Sequence, residues 1–193
     1  VGSLTAGASD GETDLALTSA DEPWIQGEAA TDNFGARSTG SDRLTASLEL
    51  RSPFRLGDLL TSNLIQSRGN DYLRLAYTVP IGGKGLRVGA DTSHLRYTLV
   101  GSDFSTLKAQ GTSSSSGLEA SYPLVRSRRG NLYLDLRYKH SRFENQSLGN
   151  VSSNYNIKTA SIGLNGNRVD PWGGGGITSA SLNWHGGQRD DNL

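Results

Sequence analysis

The 193-residue chain has no cysteine and no methionine, and its 19 basic and 19 acidic residues cancel to a net charge of zero. Without thiols there is no disulfide framework, no thiol nucleophile and no thiolate zinc site. Balanced charge excludes the clustered basic face that nucleic-acid binding requires, so no nucleic-acid partner is expected. Aromatic residues make up 7% and hydrophobic residues 34% of the chain, and the mean hydropathy is −0.47. No run approaches the ~18 apolar residues of a transmembrane helix. With 25 glycines and 5 prolines, neither a collagen nor a proline-rich linker fits. Val1–Asp10 shows neither an initiator methionine nor the apolar core of a signal peptide, so the chain reads as an internal piece of something longer.

What the chain does have is alternation. Leu132, Leu134, Leu136 and Tyr138 fall on one face of a strand, with Tyr133, Asp135, Arg137 and Lys139 on the other. The same period-two pattern places Leu44–Leu50, Leu73–Val79, Leu86–Ala90, Leu118–Tyr122, Ala160–Leu164 and Ala180–Trp184 on strands. Trp24–Thr31 reads as a strand with Ile25, Gly27 and Ala29 on its apolar face, whereas Asp58–Ser67 has apolar residues of both parities and no readable register. After Ala90 the apolar phase moves to Leu95, Tyr97 and Leu99, which predicts a bulge near Ser93–His94. Persistent period-two order excludes disorder. About nine strands of ~10 residues result, the length that crosses a bilayer when tilted.

The connections fall into two alternating sets. Ser52–Gly57, Pro80–Gly85, Pro123–Gly130 and Asp170–Gly176 carry Pro53, Pro80, Pro123 and Pro171; Pro23 precedes the first strand. The other set is Asn33–Ser41, Arg68–Asp71, Val100–Gly111 and Phe143–Asn156, with the last two as the longest. Proline confined to one set implies that the two ends of the sheet meet different environments, as in an up-and-down membrane barrel with turns on one side and loops on the other. A soluble antiparallel sandwich also alternates, but its strands are usually about 5–6 residues long. The alternative reading is therefore a soluble or surface-displayed β-rich binding module of the adhesin type.

Ordered motifs make the reading specific. Thr31-Asp32-Asn33-Phe34-Gly35-Ala36-Arg37-Ser38-Thr39-Gly40 resembles the DN(Y/F)GxRxTG signature of two-partner secretion transporters, the ShlB/FhaC/HecB haemolysin secretion/activation family of the Omp85 superfamily. Asp32, Asn33, Gly35, Arg37, Thr39 and Gly40 carry that match. Ser52-Pro53-Phe54-Arg55-Leu56-Gly57-Asp58 is similar to the family's NPxxLGD turn, and Tyr77-Thr78-Val79-Pro80-Ile81-Gly82 to YSxPxG. Ser121-Tyr122-Pro123-Leu124-Val125-Arg126-Ser127-Arg128 followed by Asn131-Leu132-Tyr133 resembles SYPLIRSRxxNLY. The departures are Ser52, where Asn is frequent, and Ala36, where Ser is usual.

The resemblance implies an integral outer-membrane barrel of about sixteen strands in a Gram-negative cell. It further implies a pore that passes a large unfolded exoprotein (haemolysin, adhesin, contact-inhibition toxin or haem scavenger) from periplasm to cell surface. The secreted exoprotein and the outer-membrane lipid are the partners expected. Residues 1–22, with Gly11–Leu17 similar to the last strand of a POTRA module, would end the preceding periplasmic unit. Residues 23–193 would form the first half of the barrel, an open sheet with unpaired edges near Trp24–Thr31 and Ile177–Gly186. The family's plug helix, most POTRA sequence and the VRGY loop do not occur in the chain.

No enzyme is indicated, and no cofactor or metal. His94, His140 and His185 are about 45 residues apart and lack ligand spacing. Asp21-Glu22 and Asp190-Asp191 read as solvated loop pairs, and Gly173–Gly176 lacks the Lys-Ser/Thr of a phosphate loop, leaving Trp172 as an interfacial anchor. No serine sits in a nucleophile elbow. Arg126, Arg128 and Arg129 read as a solvated basic turn, or as one that touches substrate or anionic headgroups. The polar faces carry Arg43, Glu49, Arg51, Arg74, Arg87, Asp91, Glu119, Asp135, Arg137 and Lys139. Each would cost ~2–4 kcal/mol facing lipid at mid-bilayer, so they are expected to line a pore. Their mixed signs suit a hydrated conduit better than an ion-selective ring.

Overall fold

The computed structural model describes residues 2–7, 9, 11–17, 23–101, 106–170 and 174–192. Strands β1 (Gly2–Ala6) and β2 (Thr13–Leu17) pair as a separate antiparallel hairpin. The remaining strands are β3 (Ile25–Asp32), β4 (Arg43–Arg51), β5 (Leu59–Ser67), β6 (Asn70–Ile81), β7 (Leu86–Thr98), β8 (Gln110–Ser127), β9 (Gly130–Ser147), β10 (Asn150–Asp170) and β11 (Gly176–Asp191). They form one nine-stranded antiparallel meander in chain order. β3 and β11 each pair on one side only, so the sheet is open, as expected from the sequence. No α-helix occurs among the described residues.

Residues opposite one another in an antiparallel ladder share a face, so the register sorts the side chains. One face carries Ile25, Leu48, Leu50, Leu60, Tyr77, Val79, Val88, Ala90, Leu118, Ala120, Leu134, Leu136, Tyr138, Ile162, Leu164, Leu182 and Trp184. This continuous apolar band is left open: Leu48, Leu75, Leu118, Leu136, Leu182 and Trp184 are all exposed, and no apolar side chain is buried among the described residues. A sheet of this size with no core on either face is not stable in water and needs a nonpolar solvent against the band.

The band also slides. It is centred on Ser47 in β4 and on Asp135 in β9, yet the ladder runs Ser47, Asn63, Arg74, Ser93, Ser115, Ser141. From Ser141 to Asp135 is a drift of six residues over five strand steps. At ~3.3 Å rise and ~4.8 Å strand spacing, that shear corresponds to a strand tilt of roughly 40°, the value for membrane barrels.

Several expectations are corrected. Ladder pairing of β7 is unbroken through Ser93 and His94, and the register shifts lie at Pro123/Val125 and Val151/Ser153. The apolar phase changes after Ala90 because β7 continues past the band, so both faces meet a new environment without any slip. Phe143–Asn156 is not a long connection: β9 and β10 run through it and turn on Leu148 and Gly149. Their φ values of 52° and 82° are those of a two-residue type I′ hairpin. Gln110 and Gly111, the end of the expected Val100–Gly111 connection, likewise belong to β8. Pro80 and Pro123 sit inside the ends of β6 and β8 rather than in turns, as does Arg126, and Asp190 and Asp191 end β11 rather than lying in a loop. Asp21, Glu22, Pro171, Trp172 and Gly173 lie outside the described residues. β5 acquires a register, with Leu60 and Leu64 on the apolar face and Leu59 and Ile65 opposite.

Candidate functional site: the charged inner face

All ten charged residues singled out from the sequence fall on the face opposite the band. On β4, Arg51 Nε lies 2.6 Å from Glu49 Oε1 and Arg43 Nε 2.6 Å from Asp32 Oδ1 of β3. Arg51 also donates to Gln26 Oε1 (3.2 Å). The centre of the face is organised by Asp91, whose side chain is only 7% exposed. Its Oδ1 lies 2.9 Å from Arg137 Nη2 and 3.6 Å from Arg74 Nη2, and Arg137 also reaches Glu119 Oε2 at 3.6 Å. One carboxylate thus holds cations from β6 and β9, reaching over β8.

Glycine makes this span possible. Gly117 of β8 stands between Asp91 and Lys139 in the ladder, and a Cβ there would lie 2.9 Å from Asp91 Oδ1. Gly89 does the same for Glu119, where a Cβ would come within 2.8 Å of Thr78 Cγ2 and 3.0 Å of Glu119 Cγ. Long charged side chains therefore lie across strands rather than projecting into the space they face. Arg87 bonds Thr78 Oγ1 and Gly57 O, both at 3.4 Å, and Asn165 Nδ2 donates to Asp135. The surface produced is of mixed sign and largely self-neutralised.

The motifs lie at the two ends of the strands. Asp32 accepts the Phe34 N–H (2.9 Å), Gly35 N–H donates to Ser41 O (2.8 Å) and Thr39 N–H to Ala36 O (3.0 Å). The resulting loop folds over neighbouring hairpins: Gly69 N–H and Ser67 Oγ–H donate to Thr39 O, and Val100 N–H to Ser38 O. Gly40, at φ 104°, lies where a side chain would collide with Arg68. Asp32, Gly35, Thr39 and Gly40 are thus the residues that build this clasp, while Asn33 and Arg37 stay exposed on it.

At the opposite end Asp58, 2% exposed, closes the Ser52–Gly57 turn. It accepts the Leu56 N–H (3.1 Å), the Phe54 N–H (3.3 Å) and the Tyr77 hydroxyl (3.1 Å). Burial alone would raise its pKa, but these donors and its own N–H outweigh burial and hold the carboxyl below the ordinary value. Tyr77 packs edge-on against Phe54 at 5.9 Å. The second and third motifs are therefore one contact unit, joined by adjacent strands. Sequence order listed them separately; the signal was their spacing of one hairpin. The Gly85 turn in turn sits where a Cβ would lie 2.8 Å from Pro123 Cγ, which brings the fourth motif into line.

Above the band, the inner face carries a cluster that sequence reading missed. Phe143 stacks on Tyr155 at 5.0 Å, Arg189 Cζ lies 4.2 Å from the Tyr155 ring centre, and Tyr97 OH donates to Asn145 Oδ1 (2.9 Å). The four residues Tyr97, Phe143, Tyr155 and Arg189 come from separate strands and show no common signature in the chain.

Comparison with known proteins agrees with this architecture. The chain is 27% identical over 166 residues to the heme/hemopexin transporter protein HuxB of Haemophilus influenzae, a match covering 84% of the chain and 29% of that relative. Among solved structures it is similar to CdiB from Escherichia coli (TM-score 0.76, 20% identity, 97% of this chain and 36% of that one). CdiB from Acinetobacter baumannii is also similar (TM-score 0.67, 16% identity, 98% and 37%). The chain therefore spans about a third of the length of these proteins, and its sheet is part of an antiparallel transmembrane β-barrel of their kind. The profile of the haemolysin secretion/activation protein family ShlB/FhaC/HecB matches residues 11–190, and the chain belongs to that family, the two-partner secretion transporters.

Proposed function

We propose that the full-length protein is an outer-membrane pore that passes one large unfolded exoprotein from the periplasm to the cell surface. The observation that carries this reading is the two-faced sheet. Ten charged residues of both signs share the face opposite a lipid-compatible band. A wall whose charges neutralise one another offers water and hydrogen bonds to any extended polypeptide without trapping one sign of charge. Arg43, Glu49, Arg51, Arg74, Arg87, Asp91, Glu119, Asp135, Arg137 and Lys139 are the pore-lining residues in this reading. Residues 1–22, with the β1–β2 hairpin, end a POTRA-like periplasmic module, and 23–193 form the first half of the barrel. The edges at β3 and β11 are closed by further strands of the full-length chain, because unpaired backbone in lipid costs several kcal/mol per group.

The chain enters the barrel from the periplasm, so β3 runs outward and the Asp32–Gly40 clasp lies at the cell surface. The Asp58 turn, Pro53, Pro80 and Pro123 then lie on the periplasmic side with Arg126, Arg128 and Arg129. Deleting the full-length gene should abolish surface delivery of an exoprotein encoded beside it; normal delivery would sink the transport reading. Single cysteines test the orientation. A membrane-impermeant thiol reagent on intact cells should label Ser147→Cys and spare Ser127→Cys in the full-length protein, and the reverse pattern would overturn it. A full-length protein that stays monomeric in buffer without detergent would favour the soluble binding module instead.

A further inference from the structure

The outward face of β7–β10 changes character abruptly at the top of the apolar band. The last apolar row is Ala90, Leu118, Tyr138 and Ala160. The next row is Thr92, Ser116, His140 and Lys158, and the one beyond it His94, Ser114, Arg142 and Asn156. Arg96 follows on β7, opposite Thr112. His94, Arg96, His140, Arg142 and Lys158 are all exposed. Because β8 contributes only Thr112, Ser114 and Ser116 to this face, it forms a low hydroxyl-lined floor between the cationic side chains of β7 and β9. The walls of this trough stand two strand spacings, about 10 Å, apart.

The partnering of these groups is uneven. Lys158 lies 3.2 Å from Asp190, and His94 Nδ1 lies 2.9 Å from Ser114 Oγ. The Arg96 and Arg142 side chains have neither an ion pair nor a hydrogen bond among the described residues. Three acids share this face: Asp71 stands directly opposite Arg96, Glu144 stands across Thr112 from Arg96 in the same row and is bonded to Gln146, and Asp190 continues the Arg142 row and is engaged by Lys158. Two unengaged guanidiniums thus flank a hydroxyl floor directly above a lipid-facing band, pointing away from the pore.

We infer that this trough binds the phosphate groups of the phosphorylated glycolipid of the outer leaflet, with Arg96 and Arg142 as the main ligands and the β8 hydroxyls as secondary donors. The assignment rests on the outer-membrane orientation proposed above. At that height, on that face, the neighbouring groups are lipid headgroups, and guanidinium matches phosphate in both charge and fork geometry. An unfolded exoprotein in the pore meets the opposite face of the sheet.

The test uses the full-length protein extracted from outer membranes in detergent, with lipopolysaccharide retained per protein measured after affinity purification. Arg96→Ala/Arg142→Ala should retain about tenfold less, as expected for losing two headgroup contacts. Arg128→Ala/Arg129→Ala, at the other end of the strands, should retain the wild-type amount. Arg96→Lys/Arg142→Lys should recover part of the loss, and heat-modifiable mobility reports that each variant is folded. Rebinding should follow bis-phosphorylated lipid A in preference to dephosphorylated lipid A or inorganic phosphate. Equal retention by the Arg96→Ala/Arg142→Ala variant, or equal loss in Arg128→Ala/Arg129→Ala, would overturn the site. Wild-type protein absent from the outer membrane would overturn both the site and the transport reading. Lost exoprotein secretion in a gene deletion bears only on the latter.

Discussion

The two halves of the sheet share one apolar band and differ in what they do beyond it. Strands β3–β5 are 8–9 residues long and stop near the band's upper edge, where the Asp32–Gly40 clasp covers them. Strands β8–β11 are 16–21 residues long and continue well past it. In the short half the apolar band occupies one face and the charged residues Arg43, Glu49 and Arg51 the other. In the tall half the upper segments run beyond the apolar band, so the alternation disappears and strand pairing holds them. Even so, they are not featureless: the outer surface gains charged and hydroxyl side chains, and the inner surface gains the Phe143–Tyr155–Arg189 stack. The band is the membrane requirement, and the extension above it is a surface free to acquire contacts.

The largest effect should come from placing a charge in the band. Leu134→Arg in the full-length protein should cost ~2–4 kcal/mol and sharply reduce assembled barrel, whereas Ser114→Arg on the same face of the tall extension should cost nothing measurable. Urea midpoints in lipid vesicles compare the two directly, and equal losses would erase the boundary between band and extension. Next comes Gly117→Val. A side chain there displaces the Asp91 carboxylate from between Arg74 and Arg137, with an expected penalty of about 1–3 kcal/mol. Altered single-channel conductance should accompany it, and an unchanged conductance would show that the Asp91 cluster does not face the pore.

Asp58 supplies a test at the foot of the short half. Its carboxyl titrates below its unfolded value, so its contribution is complete at pH above the unfolded pKa and is lost as pH falls through the folded one. Asp58→Asn should therefore lower stability near neutrality and remove that part of the acid-dependent loss. Urea titrations of wild type and variant, run from neutral to acid pH, should converge at the acid end. Parallel curves across the whole range would show that the ionised carboxylate is not what closes the turn. The smallest effect is expected at the tip of the tall half. Leu148 holds φ 52°, a conformation that asparagine adopts more readily. Leu148→Asn should stabilise the β9–β10 hairpin by about 0.5 kcal/mol, seen as slower amide exchange there, with no change in barrel assembly.

How much was legible follows from the same contrast. Leu132–Tyr138 and Leu73–Val79 declared their strands because each second residue meets lipid. The strands of the meander and the shared face of the ten charged residues follow from that alternation, whereas the open edges were implied by the family resemblance. Gln110–Gly111, at the end of Val100–Gly111, and Phe143–Asn156 read as connections because no alternating row of apolar residues marks one face there. Their strand character comes from pairing with each other across β8, β9 and β10. The supposed bulge at Ser93–His94 came from reading a change of environment as a change of register. Motif residue types were legible, but not that Asp58 and Tyr77 meet, because that contact crosses between adjacent strands.

The sequence by itself determined the membrane-compatible band, the charged face and the number of strands, since burial in lipid or exposure to water acts on each residue through the period-two pleat alone. Only the tertiary structure decided the shear, the heights of β8–β11, the Asp91 cluster and the outward cationic trough. Those depend on which residue stands opposite which across the ladder, and pairing between strands leaves no periodic trace along the chain.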